Sequence, residues 1–107
     1  MKPATRPQEA TISQAIQKAV MGALPGAVIR KRHVTMGVMG DPDLYGALPG
    51  GVHFEIEVKR PGNDPTPLQL NRLAAWEATG SITGVAHSKE EALAILFAAI
   101  HERSKQQ

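Results

Sequence analysis

The sequence predicts an α/β fold in the order helix, three strands, helix, strand, helix. Three observations predict it. Apolar residues recur at three- and four-residue steps near the start of the chain; two capped helix starts are written further on; and β-rich segments between them are broken by proline and glycine. At 107 residues the chain suits one domain, 1–107, with a single modest core. Its apolar fraction is 42%, yet Phe, Trp and Tyr are scarce, so the core must be built mainly from Ala, Val, Leu and Ile. A core of this kind often gains stability from a partner subunit, which points to a homo-oligomer.

Each element follows from local signals. Residues 1–7 hold two prolines and no periodicity, and are expected to form a flexible tail. From Gln8 onward, Ile12, Ala15, Ile16, Ala19, Val20 and Ala23 describe an amphipathic helix that stops near Leu24-Pro25-Gly26. Ala27 to Met36 is β-rich and carries the basic run Arg30-Lys31-Arg32-His33, and Gly37 to Pro42 reads as a loop. Asp43 to Leu48 and Val52 to Arg60 make two further strands around Pro49-Gly50-Gly51, a hairpin signal. Thr66-Pro67-Leu68-Gln69 places threonine at the N-cap, proline at the first helical position and glutamine two residues on, with Gly80 as the stop. Ser81 to His87 is a short strand. Ser88-Lys89-Glu90-Glu91 then opens a helix through Ala92, Leu93, Ile95, Leu96 and Ile100.

Composition excludes several classes. Without cysteine there is no disulfide framework and no thiolate zinc site, which fits a reducing compartment. No apolar run approaches the ~20 residues of a membrane span, and the N-terminus lacks the apolar stretch of a signal peptide. A cytoplasmic protein without a membrane partner is expected. The net charge of +2 says little by itself, but the basic run stands beside the acids of the candidate site. That run suits a charged strand edge, and beside a metal-type site it also suits phosphate contact.

The hairpin turns these residues into chemistry. With a three-residue connection over 49–51, Leu48 faces Val52, Gly46 faces Phe54, Leu44 faces Ile56, and Asp43 lies opposite Glu57. Opposed residues have Cβ atoms ~4.5–5.5 Å apart, close enough for two carboxylates to share a cation. Period-two alternation puts His53, Glu55, Glu57 and Lys59 on one polar face, with Tyr45 across from them, and the apolar residues behind. Two carboxylates and a lysine so grouped can hold a divalent ion and orient a water for phosphodiester hydrolysis. A Glu-x-Lys pair on a half-exposed strand can also merely solvate that face; Asp43 in facing register argues for the site.

Gly40-x-Pro42-Asp43-Leu44, Ile56-Glu57-Val58-Lys59 and Thr66-Pro67-Leu68-Gln69, in this order, resemble the virus-type replication-repair nuclease (VRR-NUC) domain of the PD-(D/E)xK superfamily. The resemblance runs from about Glu9 to Ile100. It implies a restriction-endonuclease-like αβββαβ core with a C-terminal helix, and a DNA endonuclease dependent on Mg²⁺ or Mn²⁺. Asp43 and Glu57 match its metal-binding acids, with Val58 completing the metal set, and Lys59 matches its catalytic lysine. Gln69 and Glu9 match accessory catalytic positions. Arg30, Lys31, Arg32 and Arg60, with Arg72 in addition, would meet DNA phosphates. The resemblance further implies a homodimer acting on branched DNA such as a four-way (Holliday) junction, in the cytoplasm of a bacterium or a phage-infected cell.

Several residues keep two readings. Asp41 departs from the apolar residue usual at its position, and suits either a turn before proline or water-mediated contact with a second ion. Glu55 suits an outer-shell ligand or a solvated or arginine-paired side chain. Gln69 can serve the cap or the site, and one side chain must divide between them. His33, His53, His87 and His101 lack metal-ligand spacing. Trp76 suits the core or a subunit contact, and Tyr45 either substrate contact or partial burial. A non-catalytic DNA-binding module and a regulatory partner in a phage or repair complex are the alternatives to an enzyme.

Overall fold

The computed structural model describes residues 8–33 and 38–106. The expected tail over 1–7, the end of the strand drawn to Met36 and the start of the loop at Gly37 lie outside the described residues. The elements are α1 (Glu9–Ala23), β1 (Val28–Lys31), β2 (Leu44–Leu48), β3 (Val52–Val58), α2 (Pro67–Ala78), β4 (Ile82–Ala86) and α3 (Lys89–Ser104), in the expected order.

The four strands form one sheet in the order β1-β2-β3-β4. The first three are antiparallel neighbours, whereas β4 runs parallel to β3. A parallel partner needs a crossover, and α2 supplies it. The β2–β3 register pairs Leu44 with Ile56, Gly46 with Phe54 and Leu48 with Val52, the pattern set by the three-residue connection. That tight connection needs two left-handed residues, and Gly50 and Gly51 adopt φ of 95° and 86° without a Cβ penalty. Relative to the sequence expectation, β3 stops at Val58 rather than Arg60, although the Lys59 amide still bonds the Ala86 carbonyl at 3.1 Å.

One face of the sheet carries the core. Ile12, Ile16 and Val20 of α1 and Ala92 and Leu96 of α3 pack with Leu44, Phe54, Ile56, Val58, Ile82 and Ala86. A mid-strand glycine makes this possible. A Cβ on Gly46 would stand 1.8 Å from the Val28 carbonyl oxygen and 2.8 Å from the Phe54 ring, so the strand yields its side chain to the one aromatic of the core.

The opposite face differs from expectation. His53 and Lys59 keep partial contact with solvent, but Glu55 and Glu57 are 0% and 1% exposed. The alternation is as expected, but the face it creates is covered. α2 and the segment 38–43 lie over this face, so carboxylates expected at a half-exposed surface are enclosed between layers.

Candidate active site

Asp43 sits one residue before β2, where the ladder to β3 has ended. Its carboxylate takes the place of the next strand bond, and Oδ2 accepts from the Val58 amide at 2.9 Å. This brings it to the neighbour of Glu57 and makes the two acids one electrostatic unit. Burial first, then the charge of Asp43 and a hydrogen bond shared with it, push the Glu57 carboxyl up to about 8, while Lys59 opposes the shift. Amide and carbonyl of one strand residue point to the same edge, so the Val58 carbonyl also faces the Asp43 side, while the Lys59 amide turns toward β4.

Lys59 lies with Nζ 4.0 Å from Glu57 Oε2, and its side chain is only 13% exposed. Glu9, the first residue of α1, is close enough that its charge adds to the rise at Glu57. The start of α1 therefore lies near the site. Gln69 performs its cap role: its Oε1 accepts from the Thr66 amide at 2.9 Å, and its own amide donates to Thr66 Oγ1 at 3.2 Å. It also lines a cleft of about 290 Å³ together with Asp43, Asp41, Pro42 and Arg32.

The basic run divides. Arg30 and Lys31 are exposed, whereas Arg32 turns inward. Its Nη1 donates to Glu55 Oε1 at 2.7 Å and Nη2 to Oε2 at 3.2 Å, while Nη1 also reaches the Pro42 carbonyl at 2.6 Å. The guanidinium lies 4.6 Å from the Tyr45 ring centroid and 5.7 Å from that of Trp76. Of the readings open to Glu55, arginine pairing is the one adopted, and solvation is not. His53 Nε2 meets its other oxygen at 2.6 Å. Asp41 accepts from Trp76 Nε1 at 3.3 Å, Arg72 Nε donates to the Met39 carbonyl at 3.1 Å, and Arg60 Nε is buried with no partner. Sequence reasoning missed the Trp76–Asp41 and His53–Glu55 pairs. The signal was the shared face of His53 and Glu55, which needed a covering layer to acquire meaning.

The donors suit a divalent ion. Glu57 Oε1 is buried without any hydrogen-bond partner, an expensive position for a carboxylate oxygen that has nothing to bind. Two adjoining carboxyls cannot both ionise cheaply unless a cation neutralises them. Among the described residues no three acid or histidine side chains gather into an ion cage, so main-chain oxygen and water would complete the set. Mg²⁺ takes one or two carboxylates and keeps several waters, which fits that arrangement.

No family model matches the chain. A solved structure described as "VRR_NUC domain" superposes with a TM-score of 0.67 at 28% identity, covering 82% of this chain and 92% of that one. A second, "VRR_NUC domain protein", gives 0.59 at 20% identity over 86% and 87% of the two chains, a likeness of fold. "Putative nuclease p44" of Acyrthosiphon pisum secondary endosymbiont phage 1 is 42% identical over 52 residues, or 49% of this chain and 56% of that protein. The chain thus spans about half the length of this curated relative. The four-stranded sheet and its flanking helices are thus similar to those of a solved VRR_NUC domain, and half of the chain is similar to a phage protein described as a putative nuclease.

Proposed function

We propose that the chain is a DNA endonuclease dependent on Mg²⁺ or Mn²⁺. The observation that carries the reading is the Asp43–Glu57 pair, in which Glu57 is buried with one orphaned oxygen and Lys59 stands 4.0 Å away. Asp43, Glu57 and the Val58 carbonyl would hold the ion. When bound, it supplies Lewis-acid stabilisation of the charge that develops on the scissile phosphate. Lys59, partly buried beside Glu57, orients the attacking water and offsets phosphate charge with its ammonium. Glu9, whose charge reaches Glu57, and Gln69, which shares a cleft with Asp43, would assist in placing water and phosphate. Exposed Arg30 and Lys31, with Arg60, meet the flanking backbone, where they add affinity without reading sequence.

Branched DNA cut by a homodimer is the form of this activity we favour, because paired sites suit paired strands at a junction. The cytoplasm of a bacterium or phage-infected cell is the compartment that such a substrate and a cysteine-free chain suit. No helix among the described residues is long and apolar enough to cross a membrane. The test is incubation of pure protein with linear, flapped and four-way DNA in Mg²⁺, Mn²⁺ or EDTA. Metal-dependent cutting is expected, strongest on a branched substrate. Lys59→Ala should reduce the rate about a hundredfold or more while leaving DNA binding intact. Binding without cutting under either metal would instead favour a non-catalytic DNA-binding module.

A further inference from the structure

We propose that Arg32 and Glu55 are positioning residues that hold the Pro42–Asp43 main chain against β3 and thereby set the affinity of the Asp43–Glu57 pair for a divalent ion. The inference rests on the metal-dependent reading above and concerns residues outside the ion's own ligands.

Asp43 has little else to fix it. It stands one residue before β2, next to a second carboxylate that repels it when both are ionised. Its carboxylate bond to the Val58 amide fixes the side chain, but the main chain needs separate anchorage. Arg32 provides that anchorage twice. Its amide donates to the Asp43 carbonyl at 2.8 Å, and its guanidinium donates to the preceding Pro42 carbonyl at 2.6 Å. The guanidinium is itself immobilised by the two-pronged bond to Glu55, which is fully buried and joined on its other side by His53. A planar fork on a carboxylate has one productive orientation, and Tyr45 and Trp76 flank it. Asp41, bonded to Trp76, ties the same segment to α2. The chain of contacts therefore runs from β3 through Glu55 and Arg32 to the main chain that presents Asp43.

The experiment compares wild type with Arg32→Met/Glu55→Gln, which removes both charges and leaves neither unpaired in the interior. Calorimetric titration with Mn²⁺ is expected to show affinity at least tenfold weaker in the double variant. DNA affinity in EDTA should stay within about twofold, and cutting should recover when Mn²⁺ is raised, a change in metal requirement rather than in limiting rate. Unchanged Mn²⁺ affinity in a folded double variant overturns the proposal. So does a loss of DNA affinity in EDTA with Mn²⁺ binding intact, which would make Arg32 a phosphate contact. If the double variant fails to melt cooperatively, Arg32→Lys decides the matter: it keeps the charge, loses the fork, and should weaken Mn²⁺ binding in the same direction. Wild-type protein that binds Mn²⁺ but cuts no DNA removes the nuclease reading alone, since the calorimetry still judges the brace.

Discussion

Glu57 is a carboxyl that folding has made difficult to ionise. Burial first and Asp43 second raise it from 4.5 to about 8. A group whose folded value is raised stabilises the fold fully below its unfolded value and loses that contribution as pH rises through the folded one. In EDTA, the melting temperature should therefore fall between pH 4.5 and about 8, and Glu57→Gln should flatten the slope. A wild-type profile already flat across that window would contradict the Asp43–Glu57 coupling. Metal should reverse the trend, because the ion replaces the proton. At this scale the sequence was informative about Asp43, Glu57 and Lys59, which share a face through simple alternation. It grouped Arg32 with its neighbours as a phosphate contact, whereas the side chain is engaged by Glu55 and the Pro42 carbonyl. Four basic residues in a row look alike in sequence, and only burial distinguishes the one turned toward Glu55 from the exposed Arg30 and Lys31.

Strands and helices were legible where their signals are local. The capping box at Thr66 and Gln69 is formed as written, and Ser88 accepts from the Glu91 amide to start α3. Hairpin register also followed, because apolar residues on one face allow only one pairing. Gly46 is the element-level detail whose cost can be measured. Gly46→Ala would drive a methyl group into the Val28 carbonyl and the Phe54 ring, and should destabilise the protein by ~1–3 kcal/mol or more. Gly22, in α1, has nothing within 4 Å of a built Cβ, so Gly22→Ala should be neutral or stabilising by roughly 0.5–1 kcal/mol. Urea denaturation of the two variants checks both signs, and equal midpoints would refute the close approach at Gly46. One clamp lay beyond sequence reading. His87 meets Glu91 through Nδ1 and the Asn63 carbonyl through Nε2, so both ring nitrogens must donate, and these bonds raise its pKa.

The molecule has three layers, with α1 and α3 over the apolar side of the sheet and α2 over the acidic side. Layer order explains why the site was only half visible beforehand. Alternation tells which residues share a face, but whether that face meets water or another layer depends on where the β3–β4 crossover passes. Exposed Met21 on α1 and Phe97 and Ile100 on α3 leave apolar surface on the helical side, compatible with the homodimer we favour. Light scattering should give twice the chain mass at micromolar concentration, and four-way DNA should then lose two strands in one binding event. A chain-mass particle that still cuts both strands would remove the dimer from the reaction. The Thr66–Gln69 cap gives the cleft a direction. With Oε1 held by the Thr66 amide, Gln69 can offer the cleft only N–H groups, and the partial positive charge of the α2 N-terminus reinforces them. Asp41 and Asp43 stand across the same cleft, so its two sides differ in sign, and a ligand carrying both charges would have one preferred orientation there.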